Sequence, residues 1–145
     1  MIIETKKISG VDSKDYRDAL EIRKQAFVVE LNIPLEIEVD QYEASAIHFI
    51  TIVDGRSAAT GRMRVKDQYI KFERIATHKD YRGKGIGKHL MQTMLDHAQK
   101  NYPHLLPYMH SQLEAVPFYE KLNWKSRGEI FYDVGIAHKI MVFES

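Results

Sequence analysis

The stretch over residues 72–99 constrains the fold of this chain more than any other. It begins with a short β-prone run, continues through a polar turn and reaches three glycines and three basic residues that lead directly into a helical pattern. In that pattern apolar side chains recur at steps of three, four and one, which places one apolar stripe against a core. The stripe consists of Ile86, Leu90, Met91, Met94, Leu95 and Ala98. The stretch therefore predicts a strand, a loop and the N-terminus of a long helix.

Gly85 and Gly87 lie in the first turn of this predicted helix, where a glycine costs roughly 1 kcal/mol relative to alanine. Close approach of the backbone to a ligand would explain them. The first N–H groups of a helix have no partner within it, and the helix dipole adds about half a positive charge at that end. Three basic residues surround the same place: Arg82, Lys84 and Lys88. The pattern favours a phosphate-binding loop over the alternative, a glycine-rich turn with solvated lysines.

The spacing of the glycines argues against two common phosphate-binding motifs. A dinucleotide fingerprint, G-x-G-x-x-G, would need a third glycine where Lys88 stands. A P-loop would need an upstream glycine and a following hydroxyl, and both Gly83-Lys84 and Gly87-Lys88 lack them. A nucleotide-binding domain of these kinds is therefore disfavoured.

A different signature fits the same loop. Arg82, Gly85 and Gly87 follow a β-prone run ending at residues 74–77 and match the pattern [QR]-x-x-G-x-[GA]. This resembles the signature of the GNAT superfamily of acetyl-CoA-dependent N-acetyltransferases. The resemblance implies acetyl-CoA as co-substrate, with its pyrophosphate on the helix N-terminus. The cofactor-binding residues that it implies are Ile75, Ala76, Thr77, Arg82, Gly83, Lys84, Gly85, Ile86, Gly87, Lys88, Gln112 and Phe118.

A second segment, residues 112–124, resembles the A-x-x-F-Y-x-x-x-G-F segment of the same family. The matching positions are Ala115, Phe118 and Tyr119. Asn123 and Trp124 replace Gly-Phe, a mild departure because Asn tolerates the left-handed conformation of a helix C-cap. Together with the tail GEIFYDVGIAHKIM, the chain is most similar to the small bacterial ElaA/YjcF-type branch over nearly its whole length.

Periodicity and turn signals predict the remaining elements. Ser13 is the expected N-cap of the first helix, residues 32–43 are expected to form a loop with a short helical turn, and Asp54-Gly55 signals a hairpin. The predicted strands cover residues 2–8, 46–53, 57–65, 69–76, 105–110, 127–133 and 139–144, and a short helix covers residues 114–122. The order β, α, βββ, α, β, α, ββ predicts an α/β fold with one mixed, mostly antiparallel sheet flanked by helices. It matches the GNAT-like arrangement, in which the strands on either side of the long helix splay apart around the pantetheine arm.

Length and composition set the wider expectations. A chain of 145 residues fits one domain over residues 1–145. No apolar run approaches membrane-spanning length and no leader is recognisable, so we expect no membrane association and a cytoplasmic location. The formal net charge of +1 predicts no nucleic-acid surface. The chain has no cysteine, so acyl transfer should be direct, and no histidine pair has helical ligand spacing, so no metal is expected. A homodimer is left open.

Charge is distributed unevenly along the chain. Residues 25–55 carry six acidic residues and no Lys or Arg, whereas residues 56–88 carry ten basic residues against three acidic ones. We interpret the basic part as suited to a polyphosphate. The acidic part, with Glu36 and Glu38, is predicted to draw in a cationic amine.

The resemblance also implies catalytic roles. Tyr119 would protonate the departing coenzyme A thiolate, although a core tyrosine beside Phe118 would give the same pattern. Glu73, on the strand that enters the cofactor slot, would act as the general base that an ammonium group requires. N–H groups near residues 75–77 would stabilise the oxyanion. The predicted reaction is direct acetyl transfer in a ternary complex to a primary amine, which belongs to either a small molecule or a protein.

The sequence leaves alternatives to several of these roles. Glu73 could instead form an ion pair with Arg62 or Arg74 across the sheet. Other candidates for the base are Glu114, His110 and the acidic loop. His110 and His138 are candidate acceptor-site residues, and His138 could equally be a polar residue that closes the last hairpin. The alternative to an enzyme is a coenzyme A-binding sensor or interaction module on the same fold.

Overall fold

A computed structural model describes residues 1–144. Within these residues seven strands form one sheet in the order β1-β2-β3-β4-β5-β7-β6. The strands are β1 (Ile3–Lys7), β2 (Ile47–Val53), β3 (Arg56–Lys66), β4 (Tyr69–Thr77), β5 (Leu106–Gln112), β6 (Trp124–Asp133) and β7 (Ile136–Phe143). The helices are α1 (Lys14–Arg23), α2 (Leu35–Glu38), α3 (Ile86–Asn101) and α4 (Val116–Glu120), with a π-helical segment at Lys24–Val29 and 3₁₀ turns at Lys79–Tyr81 and Leu113–Ala115.

The sheet is mixed. Neighbouring strands are antiparallel except for β4 and β5, which are parallel and are joined by the crossover helix α3. The predicted α/β fold, with one mostly antiparallel sheet flanked by helices, is therefore confirmed.

Helix α3 packs on one face of the sheet through the apolar stripe that the sequence predicted. All six residues of the stripe are buried, and they share one core cluster with Phe49, Met63, Phe72 and Met109 from the strands. None of the helices within residues 1–144 combines the length and apolar character that a membrane span requires.

Helix α1 packs on the opposite face, where Tyr16 and Ala19 form a smaller buried cluster with strand residues. Its predicted cap is confirmed, because the Ser13 side chain accepts a hydrogen bond from the Tyr16 N–H at 3.2 Å. The helix then continues into the π-helical segment, which carries Phe27 towards the site described below. Single-turn π-helical segments are rare and often lie at functional sites.

The closing hairpin differs in length from its prediction. Strand β6 begins at Trp124 and β7 at Ile136, three residues earlier than expected in each case. Val134 and Gly135 both have positive φ, so a tight turn lets the strands pair immediately on either side. Helix α4 is shorter than predicted, because a 3₁₀ turn precedes it and proline lies in its first turn.

Candidate functional site

Strands β4 and β5 separate at the centre of the sheet. They pair only from Tyr69 opposite Leu106 to Phe72 opposite Met109, whereas β4 continues to Thr77 and β5 to Gln112. Backbone groups of β4 beyond Phe72 are therefore not used by the ladder to β5 on that side. The result is a cleft between two strand ends, as the family resemblance implied.

A β-bulge redirects β4 where the cleft opens. Thr60 pairs with Ala76, but Arg62 pairs with Glu73, so β4 holds one extra residue there. Arg74 lies in the bulge with φ of 56°, a backbone conformation that residues other than glycine rarely adopt. The bulge changes the course of the strand just before residues 75–77, where oxyanion donors were predicted.

The glycine loop ends at the N-terminus of α3. Gly85 is the N-cap, with φ of 79° in the left-handed region and no side-chain cap. The His89 N–H bonds the Gly85 carbonyl at 3.2 Å, so the N–H groups of Ile86, Gly87 and Lys88 precede the first intrahelical bond. These three donors have no partner within the helix and lie at its positive end, which is the geometry of an anion site.

Arg82, the first residue of the glycine motif, makes an ion pair that the sequence did not reveal. Its two terminal nitrogens contact the carboxylate oxygens of Glu30 at 2.8 and 3.0 Å, and its Nε donates to the Thr77 carbonyl at 3.0 Å. The glycine loop is thereby linked to the segment that follows α1. The Lys84 ammonium lies 5.9 Å from the centre of the Tyr81 ring.

A cavity of about 260 Å³ lies where β4 and β5 separate. The predicted site residues that line it are Glu38, Glu73, Ile75, His110, Gln112, Tyr119 and His138. Glycine-loop residues 82–88 lie outside this cavity. The structure therefore brings the predicted catalytic and acceptor residues together, and keeps the predicted pyrophosphate loop separate from them.

Tyr119 is buried on α4 with its ring against Phe118 and Trp124, at centroid distances of 5.1 and 6.4 Å. Burial raises the pKa of Tyr119 above its usual value. The phenol is therefore neutral at physiological pH and still carries its proton in the cavity wall, as a proton donor must. Its role as the general acid stays a prediction.

Glu73 is also buried, and its carboxylate is surrounded by cations. Its Oε1 accepts hydrogen bonds from Arg62 Nε at 2.9 Å and Arg64 Nε at 2.7 Å, and Lys71 Nζ lies 3.4 Å from Oε2. Burial raises the pKa of Glu73, but the charges of Arg62, Lys71 and Arg64 outweigh it and hold the pKa below its usual value. The pairing with Arg62 that the sequence left open is observed. A carboxylate in this setting is a weak proton acceptor, so the geometry does not support the predicted base role.

The two histidines of the cavity are held differently. Burial, followed by the charges of Lys71 and Lys66, lowers the pKa of His110 to about 4, so its imidazole is neutral at pH 7. The Nδ1 atom of His138 lies 2.7 Å from the Ile136 carbonyl, so this nitrogen carries a proton and donates it to that carbonyl. The His138 ring also stacks on Phe131.

The acidic residues within 30–43 were predicted to draw in a cationic amine, and most of them are already paired within the chain. All of these acids except Glu36 pair with arginines that come from elsewhere in the chain, and Arg23 and Arg62 are each only 1% exposed. The pairs are Glu30–Arg82, Glu38–Arg23, Glu38–Arg74, Asp40–Arg62, Asp40–Arg74, Glu43–Arg23 and Glu43–Arg62. The reason is that the acidic and basic parts of the sequence fold against each other on one face of the sheet.

Two further predicted residues lie away from the cavity. Glu36 is exposed and does not line it, and neither does Glu114. Within residues 1–144 no group of three or more His, Asp or Glu side chains is arranged to hold a metal ion.

Sequence reasoning missed the side chains of Lys71, Phe27 and Ile33, which also line the cavity. Lys71 shares a strand face with Glu73 because side chains two positions apart point the same way. That alternation could have identified Lys71. Phe27 lies in the π-helical segment and Ile33 in the loop after it, where the 3.6-residue period of an α-helix does not apply.

A mixed sheet whose parallel strands splay beside a glycine-rich helix N-terminus is the acyl-CoA N-acyltransferase fold. It closely matches the crystal structure of Escherichia coli ElaA, with a TM-score of 0.87 at 21% identity over 99% of this chain and 100% of that one. The family model described as the acetyltransferase (GNAT) domain matches residues 22–145. The uncharacterized N-acetyltransferase YjcF of Bacillus subtilis (strain 168) is 33% identical over 138 residues, which cover 94% of this chain and 98% of that protein. The chain therefore belongs to the GNAT acetyltransferase family, in its ElaA/YjcF-type branch.

A more distant match is a protein from Bacillus anthracis strain Ames, whose crystal structure was solved in complex with acetyl coenzyme A. Its TM-score is 0.61 at 19% identity, over 79% of this chain and 71% of that one.

Proposed function

We propose that this protein is an N-acetyltransferase that moves the acetyl group of acetyl-CoA directly to a primary amine within a ternary complex. The observation that carries the proposal is the combination of an anion-binding helix N-terminus with a splayed cleft that ends at a buried, protonated Tyr119. The fold likeness to a protein that holds acetyl coenzyme A in its crystal supports the choice of co-substrate. A cysteine relay is unavailable, because the chain has no cysteine.

The cofactor would occupy the cleft from the glycine loop inwards. The N–H groups of Ile86, Gly87 and Lys88 would bind the pyrophosphate, with Arg82 and Lys84 adding positive charge. The pantetheine arm would run between the ends of β4 and β5, along residues 75–77 and Gln112.

The acceptor must lose a proton before it attacks, because an alkylammonium with a reference pKa of about 10.4 has no free electron pair. Lys71 and Arg74 line the acceptor cavity, and nearby positive charge disfavours an ammonium group. The amine would therefore bind in its neutral form after releasing its proton to solvent. In this scheme Glu73 positions Lys71, Arg62 and Arg64 rather than accepting the proton.

The acetyl transfer itself involves the backbone near Ile75 and the Tyr119 phenol. The amine nitrogen attacks the thioester carbon, and backbone N–H groups near Ile75 stabilise the oxyanion that forms. As the new C–N bond completes, the C–S bond breaks and Tyr119 donates its phenolic proton to the departing thiolate. The attached nitrogen loses its second proton to water, and solvent reprotonates Tyr119.

The competing function is a coenzyme A-binding module without turnover, which the same glycine loop would support. The two are separated by measuring thiol release from acetyl-CoA with a broad amine panel, together with the mass of the acylated product. We expect amine-dependent thiol release and a product heavier by one acetyl group. Coenzyme A binding in calorimetry without thiol release would favour the module, and absence of both would overturn the proposal.

A further inference from the structure

The carboxylates that face the acceptor cavity are already engaged. Oε1 of Glu73 accepts from two arginines, as described above. Glu38 is 3% exposed and pairs with Arg23 at 2.7 Å and Arg74 at 3.1 Å. Asp133 also lines the cavity, but it is an exposed residue at the hairpin turn. Among residues 1–144 the interior of the cavity therefore offers no free carboxylate to an ammonium group.

Unlike these buried carboxylates, the Lys71 ammonium group is only partly paired. Its side chain lines the cavity and is only 12% exposed. Within residues 1–144 its single ion pair is the 3.4 Å contact with Oε2 of Glu73, a carboxylate shared with Arg62 and Arg64. An ammonium group has three hydrogen-bond donors, and a partly desolvated cation gains most from an added anion. Burial lowers the pKa of Lys71, and the nearby charges of Arg64 and Lys66 lower it further.

One side of the cavity wall is apolar. Phe27, Ile33 and Ile37 form the side contributed by the segments after α1. The cavity of about 260 Å³ therefore combines a small apolar surface with a cation that has donors to spare. A zwitterionic molecule with an apolar body matches this arrangement, whereas a diamine would bring positive charge against Lys71 and Arg74.

We propose that the acceptor is a small amine that also carries a carboxylate, of the apolar amino acid class, and that Lys71 binds that carboxylate. The inference rests on the proposed acetyltransferase function and names the substrate class of the same site. It reverses the expectation of a cationic acceptor that the acidic sequence segment suggested. Lys71 is in this view a specificity-determining residue.

The test compares amines that differ only in a carboxylate: L-leucine with isopentylamine, and L-phenylalanine with phenethylamine, with putrescine as a diamine. Binding to the protein loaded with coenzyme A is measured by calorimetry, and thiol release from acetyl-CoA is measured separately. We expect the carboxylated member of each pair to bind at least about tenfold more tightly, the size of one hydrogen bond between charged groups. Lys71→Met, which keeps the length and removes the charge, should reduce this preference to about twofold or less.

Lys66→Met is the matched control, because Lys66 is a nearby exposed lysine that does not line the cavity. It should leave the preference for the carboxylated member in place. The inference is overturned if the amines without a carboxylate bind equally well or better, or if Lys71→Met weakens both members of a pair alike. Thiol release with those amines would then still uphold the proposed function. Conversely, carboxylate-selective binding without any thiol release would support this inference and reject the acetyltransferase.

Discussion

The ring of Phe118 lies against the backbone of Gly87. A β-carbon at position 87 would come within 3.3 Å of the Phe118 Cζ atom and 3.7 Å of the Thr77 hydroxyl oxygen. The first turn of α3 is thus closely apposed to both α4 and the end of β4. Glycine at this position serves packing as well as the proposed approach of a phosphate.

The first prediction separates these two effects at Gly87. Gly87→Asp puts a negative charge beside the proposed pyrophosphate site, and we expect coenzyme A affinity in calorimetry to fall at least about 100-fold. Gly87→Ala is the uncharged control. Alanine favours the helix by up to about 1 kcal/mol relative to glycine, which offsets the tight contact of its β-carbon with Phe118. Because Gly87→Ala adds no charge, its loss of coenzyme A affinity should be much smaller than that of Gly87→Asp. Wild-type affinity in a folded Gly87→Asp protein would remove the pyrophosphate from this loop.

The second prediction concerns the Tyr119 hydroxyl. Tyr119→Phe keeps the ring packing and should lower kcat by roughly 10²-fold or more, with little change in acetyl-CoA affinity. Burial raises the pKa of Tyr119, so no alkaline limb from this phenol should appear in the wild-type rate profile below about pH 10. Tyr132→Phe, at a residue that is 74% exposed, should leave kcat unchanged. If Tyr119→Phe retains near-full kcat, then water or another group protonates the thiolate.

The third prediction uses the ion pair between Glu30 and Arg82. Glu30→Gln removes a carboxylate that competes with phosphate for the same guanidinium, so coenzyme A should bind more tightly. Exposed ion pairs contribute up to about 1 kcal/mol, so the gain should be about two- to fivefold at low salt and smaller at high salt. Glu21→Gln removes an exposed carboxylate paired with Lys24 on α1 and should have no effect. Weaker binding by Glu30→Gln would mean that the ion pair instead holds the loop in its binding conformation.

The fourth prediction concerns acid stability. Burial raises the pKa of Glu43, but hydrogen bonds and charges from Arg23, together with the charge of Arg62, lower it overall, from 4.5 to about 2. A depressed folded-state pKa contributes stability above the unfolded value that is lost as pH falls through the folded value. The free energy of unfolding should therefore decline between about pH 4.5 and pH 2, and Glu43→Gln should flatten that decline.

Glu43→Gln should also lower the free energy of unfolding at pH 7 by about 3 kcal/mol, because Arg23 and Arg62 lose a buried partner. Glu36→Gln, at an exposed residue, should change it by less than about 0.5 kcal/mol. Urea unfolding across the pH range measures both effects. An unchanged pH profile in Glu43→Gln would assign the acid sensitivity to other carboxylates of the cluster.

The glycine loop and the long helix were predictable because their signals are local. The 3.6-residue period of the α3 stripe identified its buried face, and Gly85 marked its N-terminus. Asp54 and Gly55 both have positive φ, as the predicted hairpin required. Ser13 caps α1 through a contact only three residues away.

The ion pairs could not be predicted from the sequence, because counting charges along the chain does not show which charged side chains come into contact. Arg62 contacts Asp40, 22 positions away, and Glu73, 11 positions away, so that the cationic and acidic parts neutralise each other. Charge counts suggested an acidic segment that draws in a cationic amine, whereas these contacts leave Lys71 as an incompletely paired cation of the cavity.

The sequence by itself determined the order of the elements and the position of the glycine loop, since backbone propensity, side-chain period and glycine spacing act over a few residues. Only the tertiary structure decided which carboxylates are free and which pKa values shift. The register of β3 and β4 brings Arg62 within 2.8 Å and Lys71 within 3.4 Å of Glu73, where burial and pairing set the ionisation of these groups.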